Sequence, residues 1–124
     1  MKNIFFALIS VLLISCKSNN DLQGNEYQTI GDAGLEITLG FSDKNNDFHG
    51  QAINNYFGSY HAKNGKIKLS TTGTTMMAGP MPLMDAERAY FEFLDEADTY
   101  KIEGNKLIIS TPEKEMIFEK TSGE

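Results

Sequence analysis

The chain has 124 residues, 40% of them hydrophobic, which is enough for one globular domain and little else. Its formal net charge of −6 argues against nucleic acid or an anionic surface as partner, because both call for clustered Lys and Arg. Acidity of this size serves solubility, and the single cysteine excludes an intrachain disulfide framework.

Met1-Lys2-Asn3 is a short cationic start, followed by the apolar run Ile4 to Ile14 and the small residue Ser15. This is the pattern of a cleaved secretion signal. A bilayer-spanning helix needs about 20 apolar residues, and this run ends well short of that at Lys17. Leu13-Ile14-Ser15-Cys16 resembles the lipobox of bacterial lipoproteins, in which the cysteine is acylated and becomes the new N-terminus. Cys16 is thereby the expected lipid attachment, placing the protein in the cell envelope, at the outer membrane by preference. Each acyl methylene contributes about 0.8 kcal/mol of membrane affinity, so several chains hold a domain at a surface without a spanning helix. The segments read as a signal peptide over 1–15, a lipidated, flexible tether over 16–25 and a domain over 26–120.

Within the domain, Glu26 to Ile30 predicts a short strand, and alternation of Leu35, Ile37, Leu39 and Phe41 with polar or small residues predicts a half-buried one. Ser42 to Asp47 is a run of turn formers returning into Phe48 to Ala52. Asp43 and Asp47 faintly resemble a calcium loop, but the Gly and closing Glu of that pattern are missing, so a solvated hairpin turn is expected. Asn54 to Tyr60 and Lys66 to Ser70 read as further strands, joined by the hairpin signal Asn64-Gly65. Tyr56, Phe57 and Tyr60 are expected in the core rather than at a ligand mouth.

Thr71 to Leu94 passes through a kinked, methionine-rich turn, Gly79-Pro80-Met81-Pro82, into the one helix. It is predicted from Met84 to about Ala97, with Pro82 before it and Asp85 and Glu87 in its first turn. Leu83, Ala86, Tyr90, Phe93, Leu94 and Ala97 form an apolar stripe, while Glu87, Arg88, Glu92, Asp95 and Glu96 cover the rest. Met76, Met77, Met81 and Met84 place four thioethers in nine residues. Packing in an irregular gap is the expected role, and Cu(I) ligation is the alternative that soft sulfur donors allow. Beyond Asp98, Tyr100-Ile102, Leu107-Ile109 and Met116-Phe118 alternate between Gly104-Asn105 and Thr111-Pro112 turns, a C-terminal meander. The fold class is mainly β with one α-helix: an antiparallel meander curled towards a small barrel, the helix packed on one end or face.

Asn54-x-Tyr56-x-Gly58-Ser59-Tyr60 and Thr75-x-Met77-Ala78, with Glu87, Phe91, Leu94, Tyr100 and Leu107 behind them, resemble the META domain, the family of the bacterial heat-shock protein HslJ. The resemblance covers roughly Glu26 to Lys120. It implies a small β-rich envelope domain linked to stress tolerance and antibiotic resistance, without established catalytic activity, and gives Asn54, Tyr56, Gly58, Tyr60, Thr75, Met77, Ala78 and Glu87 structural roles. The family often carries one cysteine before the motif Asn and another after Met-Ala. Here Ile53 and Gly79 stand at those positions, and their joint absence implies that the two positions sit close together.

His49 and His61 are the only histidines, and neither stands near a nucleophile signature or at metal-ligand spacing. No catalytic residue, metal or cofactor is expected. Two functions follow: a stress-linked envelope module contacting an unidentified envelope protein, which is preferred, or a module holding a small apolar ligand or Cu(I).

Overall fold

A computed structural model describes residues 21–122. The leader, Cys16 and the first part of the tether lie outside the described residues. Eight strands follow one another: β1 (Glu26–Ile30), β2 (Glu36–Phe41), β3 (Asp47–Gln51), β4 (Asn55–Lys63), β5 (Lys66–Thr74), β6 (Thr99–Glu103), β7 (Lys106–Ser110) and β8 (Glu115–Ser122). One helix, α1 (Met81–Glu96), is inserted between β5 and β6. Every neighbouring pair is antiparallel, and β1 also pairs β8, closing the sheet into a barrel in simple meander order. The expected β-rich architecture is thus observed in closed form, with one weak seam between β5 and β6.

Local chemistry accounts for the turns. Asn64 and Gly65 both adopt positive φ, 55° and 82°, the mirror-image turn that matches strand twist. The segment after β2 is a hydrogen-bonded surface turn: Ser42 N–H donates to the Asp47 carbonyl at 2.9 Å, and Asp47 N–H to Asn45 Oδ1 at 3.1 Å. Asp43 and Asp47 are exposed there, as expected of a solvated hairpin.

Inward positions are filled by Tyr27, Leu39, Phe41, Phe48, Leu107 and Phe118, among others, all essentially inaccessible. Small barrels close around their own side chains in this way. The Phe41 ring meets Tyr60 edge-on at 5.0 Å. At Gly58 an added Cβ would run into the Ser70 carbonyl oxygen and the Phe48 ring, so glycine is required by close approach where β4 and β5 shift register.

The two ends are closed differently. At one end α1 is the connection from β5 to β6, packing on β5 and on the short 3-10 turn Asp32–Gly34 between β1 and β2. It covers the seam where β5 and β6 share only the pair Lys66↔Thr99. At the other end Asp21 to Asn25 is part of the fold: Leu22 is 1% exposed and Gly24 N–H donates to the Phe41 carbonyl at 3.0 Å. The expectation of a flexible tether as far as Asn25 is therefore corrected, because an apolar plug is needed where the barrel opens.

The helix also departs from expectation. It begins at Met81, with Pro80 as N-cap and Pro82 inside the first turn. Proline is tolerated there because the first helical N–H groups have no partner to lose. Asp85 and Glu87 accordingly lie beyond the first turn, and Glu87 belongs to the buried face, not the solvent-covering one.

Candidate functional site

Asn54 ends the short connection from β3 to β4 and is 5% exposed; Glu87, 9% exposed, meets it from α1. Asn54 N–H donates to Glu87 Oε2 at 2.7 Å and its Nδ2 to Oε1 at 3.0 Å. The same Nδ2 donates to the Met77 carbonyl at 3.2 Å, while Asn54 Oδ1 accepts from Thr75 Oγ1 at 2.8 Å and from Met77 N–H. Both donors and both acceptor sites of the amide are thus used. A carboxylate is acceptor-only, so Glu87 suits a position where two N–H donors converge. The clasp joins three segments far apart in sequence: the β3–β4 connection, the chain leaving β5, and the helix.

Beside it, the Tyr56 hydroxyl donates to the Thr38 carbonyl, which leaves its oxygen to accept from Tyr90, whose hydroxyl lies 2.6 Å away. Burial pushes both hydroxyls well above the ordinary tyrosine range, so both stay neutral at physiological pH. Their rings pack edge to face at 5.7 Å, and Phe91 adds a second edge contact to Tyr56 at 5.4 Å. Tyr90 and Thr38 lie outside the two short motifs. The apolar stripe of α1 and the aromatic pair with Phe91 are the sequence signals for Tyr90, and nothing local marks the Thr38 carbonyl.

The methionines overturn an expectation. Met76, Met77 and Met81 are 93%, 52% and 64% exposed, and only Met84 is half-buried. Packing in the core is therefore not their role: the segment from Thr75 to Pro80 passes outside the barrel end, with no surface opposite it to fill. Its backbone is nevertheless pinned, since Asn54 binds both the N–H and the carbonyl of Met77 and Thr75 N–H donates to the Asn55 carbonyl at 3.0 Å. Ala78 is exposed in the same loop. Phe57 is likewise outside, contrary to expectation, because strand alternation turns it away from Tyr56; its ring covers Gly73 on β5.

Ile53 and Gly79 flank the clasp. A Cβ at Gly79 would lie 3.5 Å from Ile53 Cδ1, so the two positions are spatial neighbours. His49 faces outward with Nε2 3.6 Å from Glu26 Oε2, and His61 faces outward from β4. A surface groove of about 270 Å³ runs where α1 crosses β1 and β8, opening at the exposed Ile30 and Ile117.

These features define a small capped β-barrel whose motif residues hold loops together at the helix end and present an apolar loop there. The META domain family profile matches residues 18–123, and the chain belongs to that family. No curated protein matches it. Among solved structures it is similar to a DUF4847 family protein from Bacteroides vulgatus, at 18% identity and TM-score 0.56, over 67% of this chain and 57% of that one. The chain thus spans little more than half of that relative's length. It is also similar to an NMR structure of a protein from Burkholderia xenovorans, at 21% identity and TM-score 0.65, over 85% and 87% of the two chains. A further NMR structure aligns at 17% identity and TM-score 0.64, covering 82% of this chain and 92% of the other. At these identities the likeness is one of fold.

Proposed function

We propose that the protein is a lipid-anchored envelope lipoprotein whose META domain is a non-catalytic module of stress response and antibiotic tolerance, acting through protein contacts. One observation carries the reading: Met76 and Met77 on the loop and Met81 at the start of α1 are exposed, and partly buried hydrogen bonds fix the loop backbone. Exposed thioethers are adaptable apolar contacts, and a pinned backbone spares the ordering cost of binding. Asp85, Glu92, Asp95 and Glu96 are exposed on the adjoining helix. The fitting partner is a protein with an apolar pocket rimmed by basic groups. Nothing in the barrel interior competes as a ligand chamber, since Tyr56, Tyr90, Leu94 and Phe118 occupy it.

A photo-crosslinking residue at position 76 should give a discrete protein adduct in intact cells, lost in Met77→Glu/Met81→Glu. The same residue at Asn64, on the opposite end, should not give it. Identical adducts from both positions, or none from position 76, overturn the reading. For the anchor, Cys16→Ser should release the protein from the membrane fraction or leave it unprocessed, and unchanged fractionation overturns that part.

The exposure of Met76, Met77 and Met81 also favours a second reading, Cu(I) held by thioether donors. Titration with Cu(I) under reducing conditions should then saturate in the parent and fail in Met76→Leu/Met77→Leu/Met81→Leu. Absence of binding by the parent removes it.

A further inference from the structure

Net charge averages over a surface, and the distribution here is uneven. On the outer face of the β4–β5 hairpin, Lys63 pairs directly with Lys66, and His61 with Lys68. Lys63 and Lys66 thus set like charges opposite one another, which is unfavourable in a sheet. Lys101 and Lys106 each have a carboxylate within reach, Glu103 at 3.2 Å and Glu119 at 3.9 Å. Among the described residues Lys63, Lys66 and Lys68 form no ion pair, in a chain with 17 acidic residues against 11 basic ones. Lys44, Lys114 and Lys120 are also outside any ion pair among the described residues but stand singly on other elements, so what marks this strip is three such lysines side by side on one face.

The strip lies where the chain enters the barrel. Tyr100 joins the two: its N–H donates to the Gly65 carbonyl at 2.9 Å, and its hydroxyl to Asp21 Oδ1 at 3.0 Å. The hairpin tip is thus one residue away from the point where the N-terminal segment arrives. From Cys16 to Asp21 there are five Cα steps, at most about 18 Å of extended chain. A lipid on Cys16 therefore cannot lift this hairpin far from the bilayer. At the opposite end, α1 and the β7–β8 turn expose Asp85, Glu92, Asp95, Glu96, Glu113 and Glu115 against two basic residues, Lys114 and Arg88, the latter paired with Asp85 at 2.9 Å. The first end also exposes Asp21, Glu26, Asp43, Asp47 and Glu103, so attraction to an anionic surface is confined there to the lysine strip, whereas the acidic second end is repelled; together they select one orientation.

We propose that the Lys63–Lys66–Lys68 face of the β4–β5 hairpin rests on an anionic lipid surface, keeping α1 and the methionine loop away from it. This rests on Cys16 as the lipid attachment, and it revises the expectation that an acidic chain avoids anionic surfaces.

Cys16 is the only thiol, so a chain starting there can be coupled at that residue to a maleimide lipid, bypassing the cell's own acylation. Residues 21–122 contain the whole closed barrel and its core, so this chain folds without the leader. Coupled to vesicles of phosphatidylcholine alone or with about one third phosphatidylglycerol, it would be treated with a brief pulse of acetylating reagent and read by mass spectrometry. Lys63, Lys66 and Lys68 should be acetylated severalfold more slowly on the anionic vesicles, and salt near 0.5 M should abolish the difference. Lys114, beside α1, should react equally on both. Equal rates for the three lysines on both vesicles, or protection of Lys114 instead, overturn the proposal. Because attachment is chemical, neither result depends on whether Cys16 is acylated in the cell, which the Cys16→Ser fractionation decides separately.

Discussion

Glu87 is a charged residue placed where charged residues are usually absent, and its partners explain why it is tolerated. A buried carboxylate costs several kcal/mol unless donors meet it, and Asn54 supplies two N–H groups, one from its backbone and one from its side chain. Glu87→Gln keeps one acceptor oxygen but turns an NH₂ towards the second donor. Hydrogen bonds to charged groups contribute about 1.5–3 kcal/mol, so this variant should lose stability in that range in urea denaturation. Asn54→Ala leaves the Met77 N–H without Oδ1 and should cost about 1–3 kcal/mol. It should also speed amide hydrogen exchange at Met77, because that residue's two bonds to Asn54 pin the loop. If Met77 exchange is unchanged in Asn54→Ala, the clasp is not what holds the methionine loop.

At the scale of elements, α1 depends on its inner face. Phe93 and Leu94 are buried there, with Lys114 Nζ 5.8 Å above the Phe93 ring. Truncating a buried aromatic costs about 3–5 kcal/mol, a large part of the ~5–15 kcal/mol available to a small domain. Phe93→Ala should unfold or severely destabilise the protein, whereas Glu92→Gln/Glu96→Gln, on exposed positions, should stay within about 0.5 kcal/mol of the parent. Thermal melting checks both, and a reversed order would mean that the helix register is wrong. The approach of the loop after β5 to the β3–β4 connection makes a second prediction. Ile53→Cys/Gly79→Cys should oxidise to an intrachain disulfide, since the Gly79 Cβ position and the Ile53 side chain are in contact. Such a bond typically adds about 2–4 kcal/mol, and reductant should remove the gain. The parent's melting should not respond to reductant, because its one cysteine cannot cross-link within the chain.

For the whole molecule, the tyrosines set an alkaline limit. All five have hydroxyls held above the ordinary range, first of all by burial, with Tyr56 and Tyr90 the most enclosed. Below a pH of about 10 they are protonated in the folded and the unfolded chain alike, and their contribution to stability is complete. Above it the unfolded chain releases protons that the folded chain retains, so stability falls as pH rises, by up to about 1.4 kcal/mol per pH unit for each fully retained proton. The urea midpoint should be flat in this respect between about pH 6 and 9 and drop steeply beyond about pH 10. Tyr90→Phe, which removes one such proton and leaves the Tyr56 to Thr38 bond in place, should make the drop shallower. An unchanged slope in that variant would mean that Tyr90 is ionised in the folded state.

Alternation of apolar and polar residues, together with turn formers such as Asn64-Gly65, was sufficient to place the strands, because a half-buried strand must repeat every two residues whatever it packs against. The stripe from Ala86 through Leu94 likewise determined that a helix would cover the sheet, and two short motifs in order determined the family. The tertiary structure alone decided that β1 meets β8 and closes the ring, since strand pairing between residues some 90 positions apart leaves no local trace. It also decided the destinations of the ambiguous side chains. Glu87 reads as a surface residue until Asn54, 33 positions earlier, brings donors to it. Met76, Met77 and Met81 read as core by hydrophobicity alone, yet the loop and the helix start that carry them lie outside the barrel end. Leu22 reads as part of a polar tether and is instead the plug of an open barrel mouth. In each case the sequence specifies what a side chain would bury or pair with, and only the assembled barrel specifies whether a partner is there.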